Sequence, residues 1–450
     1  MGQTSRPPKK CPVNAHQNIL ILLMAKILCP YCYRHFDSKE AMVQCGNDRI
    51  GADGNYECEH TEYAEYARFW GAGNPIGHIF PAARGFLGFG GLKKKQVCDL
   101  CSKENIDRFV CPHCYNRIPT EMIENGAEII SVIGFPNSGK TNYIIALVHE
   151  LSNKGYTLGI DVVSSQIHPD GTKFAKFATD QRFNEMQKTL FRDKEFLQKT
   201  TIKQNYIPLI FKLYQRSSNK TIYLVFYDTA GEDFTDSNRM KNSETLKYLR
   251  ESSGLIILAD PFSIEQVTDV LQKRYVDNGD FQIQAGQNQG NDATSLMALK
   301  NTLAESLMHI ESIYKKPVAF VFSKFDIIIN NKDLFDFSVD AFKEGNTLKD
   351  SSFINDKKVD VANINATSTA IEGYLDTWGQ HFFTEWVKNW AANPKNPDSG
   401  SSDNMYKFFG VSATGSMSEA GQLKSVVPFR VMDPLIWVLL KLGKFNIPTK

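Results

Sequence analysis

"SVIGFPNSGKTNYII", residues 131–145, decides how the rest of the chain is read. An apolar run, a glycine-bounded loop and the first turns of an amphipathic segment follow one another, which predicts strand, tight turn and helix. The loop has the spacing G-x-x-x-x-G-K-T. Gly134 and Gly139 let the backbone wrap so that amide groups face inward, and the following helix adds its N-terminal dipole; together these suit phosphate oxygens. In that role Lys140 neutralises the β and γ phosphates and Thr141 offers its hydroxyl oxygen to Mg²⁺. Asn137, Ser138 and Asn142 complete the candidate cradle. At average composition the bare pattern arises by chance in about one chain in fifty of this length. Its place between an apolar strand and a helix is what sets it apart from a coincidental glycine turn.

Three further stretches repeat the arrangement of an apolar strand running into a polar loop. "VFYDTAGED", residues 225–233, ends a strand in Asp228, a candidate Mg²⁺ group, with Gly231 placed to sense a γ-phosphate through its amide. "VAFVFSKFD", residues 318–326, ends in Ser-Lys-x-Asp. Asp326 can accept two hydrogen bonds from N1 and N2 of guanine, a donor pair that adenine lacks, and the Lys324 stem can lie over the base plane. "FFGVSATGS", residues 408–416, supplies a Ser412-Ala413 turn able to give a backbone amide to guanine O6.

Strands are expected near 128–134, 207–214, 221–228, 254–260, 317–323 and 406–412, and helices at 140–153, 180–199, 242–252, 263–274, 294–314, 371–392 and 433–443. Short continuous apolar runs alternating with helical stretches predict an α/β fold, a mostly parallel sheet with helices on both faces. The 371–392 helix rests on Ile371, Tyr374, Leu375, Trp378, Phe382, Trp386 and Trp390 at helical spacing, read as a core-packing stripe. Each candidate group lies at the C-terminal end of a strand, where ligands sit in open α/β sheets.

The order phosphate loop, Mg²⁺ aspartate, base aspartate, Ser-Ala turn resembles the Ras-like and translation-factor-like GTPases, over roughly 127–445, and Gly-Phe-Pro-Asn-Ser-Gly-Lys-Thr is similar to the loop of their Era/Obg branch. That resemblance implies a GTP/GDP site with Mg²⁺. It also implies a switch threonine before the second strand; the candidate in "QKTTIKQNYIPLIF" is Thr201, with Thr200 as the alternative, and it would join Thr141 and Asp228 on Mg²⁺. Two departures stand out. Glu232 occupies the place of the water-orienting glutamine, and a carboxylate cannot donate an N–H toward the γ-phosphate and would repel it. The expected catalytic set is therefore Lys140, Thr201 and Glu232, with slow or partner-dependent hydrolysis. Ser323 stands where Asn or Thr is usual, at the expected cost of a supporting hydrogen bond.

The chain has 450 residues, enough for two or three domains. Its net charge of +1 gives no bulk attraction to nucleic acid or acidic membranes. No run of about 18 apolar residues predicts a membrane span. Residues 1–23 read as a disordered leader, with Met24 an alternative start, and 24–120 as a Cys-rich module. The domain from 127 to 450 is expected to carry insertions at about 160–200, 276–293 and 327–370.

Eight of the nine cysteines fall between 29 and 114. Clustered CxxC pairs in a chain without a recognisable signal read as metal ligands in a reducing cytoplasm rather than as disulfides. Cys98, Cys101, Cys111 and Cys114 are expected to form one four-sulfur Zn²⁺ site, and Cys29, Cys32, Cys45 and Cys58 a second, with His60 a possible substitute ligand and interleaved pairing an alternative. Redox-active CxxC is the competing reading. Between the two sets, residues 69–95 combine glycine, aromatics and Lys93–Lys95. They read as a connector, or as a docking loop for protein or nucleic acid.

The Cys-rich region ending "CPHCYNRIP", "DTAGED" after a long switch segment, "LADPFS" at the fourth strand and "RVMDPLIWVLL" at the last helix together look like the bacterial double-GTPase family of conflict-defence loci. Membership implies a GTPase-fold switch working with protein partners encoded by neighbouring genes. Only one phosphate loop is present. The competing functional classes are an ATPase or small-molecule kinase on the same fold, and a non-hydrolysing scaffold whose zinc ribbons bind protein or nucleic acid.

Overall fold

The computed structural model describes residues 26–85, 92–126, 128–134, 138–164, 179–197, 207–226, 245–276, 296–307, 316–331, 357–391, 405–416, 418–419 and 422–450. They form two compact units. One comprises residues up to Cys29, Arg34–Thr61 and Pro75–Ala127; the other comprises Pro30–Tyr33, Glu62–Asn74 and Glu128–Lys450.

The larger unit is built on a seven-stranded sheet: β1 (Glu128–Gly134), β2 (Ile160–Ser164), β3 (Leu209–Gln215), β4 (Lys220–Phe226), β5 (Gly254–Ala259), β6 (Val318–Phe322) and β7 (Tyr406–Gly410). Their order across the sheet is β2-β3-β4-β1-β5-β6-β7. β4, β1, β5, β6 and β7 pair in parallel, and β3 runs antiparallel to both its neighbours. The mostly parallel α/β sheet expected from the sequence is therefore present, with one more strand than the six read there. The extra strand, β2, lies on the sheet edge in the stretch expected as an insertion.

The connecting helices are α1 (Lys140–Lys154), α2 (Thr179–Gln187), α3 (Thr245–Glu251), α4 (Glu265–Val276), α5 (Leu296–Leu307), α6 (Phe325–Asn330), α7 (Val361–Thr377), α8 (His381–Ala391) and α9 (Asp433–Leu442). Successive strand residues face opposite sides, so each strand feeds two cores. On one face Ile130, Val132, Ile256, Leu258, Ala319 and Val321 meet the apolar sides of α1 and α9. Tyr143 is buried there, and its hydroxyl donates to the Val431 carbonyl at 3.1 Å, tying α1 to the approach to α9. On the other face Phe320 meets Phe383 of α8 edge-on at 5.7 Å, and the Phe408 amide of β7 donates to Ser368 Oγ of α7 at 3.0 Å.

The single helix expected over 371–392 is two. α7 ends at Thr377, Gly379 turns the chain at φ +73°, and α8 starts at His381. The Gln380 amide donates to the Leu375 carbonyl at 2.7 Å, closing the end of α7 around that glycine. The break also rotates the apolar stripe. Ile371, Tyr374, Leu375 and Trp378 are buried as expected, but on α8 the buried positions are Phe383 and Val387, while Phe382 and Trp386 are only half-buried.

The smaller unit is a set of short antiparallel pairings. A hairpin joins Lys26–Leu28 to His35–Asp37, Met42–Gln44 lies between Ile79–Pro81 and Phe109–Val110, and Lys95–Val97 pairs with Glu104–Ile106. Strands of two or three residues bury too little apolar surface to hold a fold alone, so such a unit needs cross-links.

Candidate functional site

β1 ends at Gly134, and α1 begins at Lys140 after Gly139, which takes the left-handed φ of +66° that glycine adopts without strain. A Cβ on Gly134 would lie 2.5 Å from Ser138 Oγ and 2.8 Å from Lys140 Cβ, so these two residues come this close only because position 134 has no side chain. Lys140 is buried in the first turn of α1, with Thr141 and Asn142 beside it. The first turn of a helix carries amides that the helix itself does not pair, and here it directly follows the C-terminal end of β1. Ser138 is 1% exposed, and its Oγ finds no hydrogen-bond partner among the described residues. A buried hydroxyl left this way just before a helix N-terminus fits a polar ligand there. Asn142 Oδ1 accepts from the Leu197 amide at 3.3 Å, so the segment that leads toward Thr201 reaches α1. Asn137, Thr200, Thr201, Asp228, Gly231 and Glu232 lie outside the described residues.

The second group of residues gathers at the C-terminal ends of β5, β6 and β7. Asp326 lies in the first turn of α6 and is 7% exposed. Burial pushes its carboxyl above the ordinary aspartate value, and a hydrogen bond from the Ser412 side chain draws it back down. Ser412 Oγ accepts from the amides of Gly415 at 2.8 Å and Thr414 at 3.3 Å. Both lone pairs of the hydroxyl are then used, which leaves its one hydrogen for Asp326. Ala413 follows at the rim. The turn is held from behind: Ser412 and Phe429 exchange backbone bonds of 3.0 and 2.8 Å, and Val427 donates to the Thr414 carbonyl at 2.8 Å. Gly415, at φ +69°, has no room for a side chain, since a Cβ would meet the Val427 carbonyl oxygen.

Lys324 takes a left-handed φ of +54°. Its ammonium bonds Asp260 Oδ2 at 2.7 Å and sits 5.4 Å from the centre of the Phe262 ring. The Ser323 amide and hydroxyl both donate to the Ala259 carbonyl, at 3.1 and 3.2 Å. The serine hydroxyl thus makes a hydrogen bond of its own to the neighbouring strand. The Phe325 amide donates to the Val411 carbonyl at 2.9 Å on the opposite side. Thus the Ser-Lys-Phe-Asp loop is stitched to β5 by its first two residues and to the end of β7 by its last two. Sequence reasoning missed Asp260. Its signal was the Asp-Pro after a strand, which predicts a capped turn; Asp260 Oδ1 does cap that turn, accepting from the Phe262 amide at 3.1 Å.

The cysteines form two groups whose ligand atoms lie within 4.8 Å of one another: Cys29, Cys32, Cys111 and Cys114, and Cys45, Cys58, Cys98 and Cys101. This corrects the grouping by sequence order. The pairs interleave, and the structure takes the alternative arrangement. Sulfur–sulfur distances of 3.7 Å (Cys29–Cys114), 3.5 Å (Cys45–Cys101) and 3.8 Å (Cys58–Cys98) compare with the edge of about 3.8 Å expected for a tetrahedron with Zn–S near 2.3 Å. Both groups could hold zinc. His60 is not a ligand: its Nδ1 meets the Cys58 carbonyl at 3.0 Å and its Nε2 meets Asp48 at 3.1 Å. Burial pushes the Cys45 thiol up to about 11, whereas at Cys101, in the same group, burial is outweighed by the Lys103 backbone and the neighbouring sulfurs, which draw the thiol down to about 7.

Three of the turns share one local geometry. In Cys29–Tyr33, Cys98–Ser102 and Cys111–Tyr115 the residue after the second cysteine is left-handed, at φ +50°, +61° and +56°. The first cysteine's amide donates to the carbonyl five residues on, at 2.9 to 3.2 Å. Cys45 and Cys58 lack this turn and close the second group from separate segments. Among the described residues no helix is long and apolar enough to cross a membrane.

The family model described as Double-GTPase 2 matches residues 128–378, more than half of the chain and all of the sheet except β7. A comparison with curated proteins finds no match.

Proposed function

Because the chain belongs to the Double-GTPase 2 family, we propose that it is a Mg²⁺-dependent guanine-nucleotide switch whose zinc-loaded cysteine module recognises a protein partner. The observation that carries the guanine reading is the buried Asp326 carboxylate joined to Ser412 at the ends of β6 and β7. Two carboxylate oxygens at the strand ends suit the N1 and N2 donors of guanine, and the Ser412-Ala413 turn can give O6 a backbone amide. Adenine, with an acceptor at N1, would not give that buried carboxylate the paired N–H donors that guanine offers, which argues against an ATPase.

In this reading Gly134, Ser138, Gly139 and the first turn of α1 hold the β and γ phosphates, and Lys140 neutralises them. Bound Mg²⁺ would balance phosphate charge; Thr141, Asp228 and Thr201 are the residues proposed to hold it, with Gly231 sensing the γ-phosphate. Glu232 in place of glutamine supports slow hydrolysis, or hydrolysis completed by a partner's residue. The family resemblance supports a role in a bacterial defence locus, with partners among the neighbouring gene products.

Calorimetry with GTPγS, GDP and ATPγS in Mg²⁺ tests the reading, on the full chain and on Asp326→Asn. Binding of the two guanine nucleotides, and a shift toward xanthine nucleotide in the variant, are expected. Equal affinity for ATPγS would overturn it.

A further inference from the structure

We infer that Asp260 is a positioning residue for the base-reading lysine, and that with Phe262 it sets how tightly the site holds a guanine nucleotide. The inference rests on the guanine reading above. β5 and β6 are parallel neighbours with Ala259 level with Phe322, so the residue after each strand emerges on the same side of the crevice. Asp260 is 7% exposed, and its two oxygens have separate duties. Oδ1 is committed to the Phe262 amide of its own turn, at 3.1 Å. That bond fixes the carboxylate plane and leaves Oδ2 aimed at the Lys324 ammonium, 2.7 Å away.

A lysine stem carries rotamer entropy, which a ligand that stacks on it must otherwise remove. Here both ends of the stem are already fixed. The backbone is left-handed at Lys324, and the ammonium is held between Asp260 and the face of Phe262. The methylenes between them form a preoriented apolar bar beside Asp326, and preorganisation of this kind raises affinity without adding a contact. Asp260 itself is tied up in the turn, so its effect on nucleotide should pass through Lys324.

Equilibrium titration of the full-length protein with fluorescently labelled GDP tests this with a double-mutant cycle. Asp260→Asn should weaken GDP by about tenfold. Lys324→Ala should weaken it at least as much, and the double variant no more than Lys324→Ala alone, because the aspartate then has nothing left to position. Asp260→Ser serves as a second probe: serine still caps the turn but has no charge for the ammonium. It should behave as Asp260→Asn does while melting like the parent protein. Unchanged GDP affinity in a folded Asp260→Ser, or a loss that adds in full to that of Lys324→Ala, would overturn the inference and leave Asp260 a turn cap. Failure of the parent protein to bind GDP would instead sink the guanine reading, and this inference with it.

Discussion

A carboxylate that reads guanine must be ionised, and Asp326 is buried where ionisation costs most. Its folded-state carboxyl lies above the ordinary aspartate value because of burial, with Ser412 offsetting part of the rise. A folded value raised above the unfolded one adds stability at low pH, and that stability is lost as pH rises through the folded value. At neutral pH, therefore, the ionised side chain weighs against the ligand-free fold. Asp326→Asn, which removes the charge but keeps the shape, should raise the melting temperature of the ligand-free protein by about 1–3 °C. The same change should weaken GDP by about a hundredfold or more. In the parent protein, GDP affinity should fall on acidification from a higher pH than an exposed aspartate would give. Melting curves with and without GDP across pH 4 to 8 check all three statements. A variant that is less stable without ligand would show that Asp326 is held for structure and not for binding.

At the scale of elements, the parts that were legible in the sequence are those whose apolar pattern is uninterrupted. β1, β5 and β6 are continuous buried runs, and α1 and α9 carry strong stripes, so their positions followed from periodicity. β2 was missed because an edge strand is half-solvated: in Ile160–Ser164 only Ile160 is buried. The α7–α8 break was missed because the aromatic spacing continues across Gly379 while the backbone does not. Two glycines in this layer should respond differently to alanine. Gly379→Ala places a Cβ at φ +73°, 2.9 Å from the flexible amide end of Gln266, and should cost about 1–2 kcal/mol with no effect on nucleotide. Gly410→Ala drives a Cβ to 2.5 Å from the ring of Phe325, the residue that precedes Asp326 in the base loop. It should lower stability and GDP affinity together, as read by thermal melts and by titration of the same samples. Equal GDP affinity in both variants would mean that Phe325 does not transmit packing to the base loop.

At the scale of the whole molecule, the motifs marked where the described parts of the candidate site lie, because phosphate and base loops need fixed residue types at fixed spacing. What motifs do not carry is pairing between distant segments, and there the reading failed. Cys98–Cys101 and Cys111–Cys114 are adjacent in sequence, yet they serve different clusters. A physical cue was present: "CPYCY" at 29–33 and "CPHCY" at 111–115 share every fixed position, and these two like turns face each other across one cluster. The interleaving has a consequence for folding, since a metal held by each group would tie segments about 40 to 85 residues apart, and closing such loops constrains the unfolded chain more than joining neighbours would. It also gives a sharp test. Purified protein should contain about two zinc ions per chain. Cys98→Ser with Cys111→Ser removes one ligand from each cluster and should lower zinc at both. Cys29→Ser with Cys111→Ser removes two from the same cluster and should leave one zinc in place. Grouping by sequence order predicts the reverse, one zinc retained in the first variant and losses at both sites in the second. Elemental analysis after dialysis against a weak chelator separates the two outcomes, and a full zinc ion retained by Cys98→Ser/Cys111→Ser would overturn the interleaved arrangement.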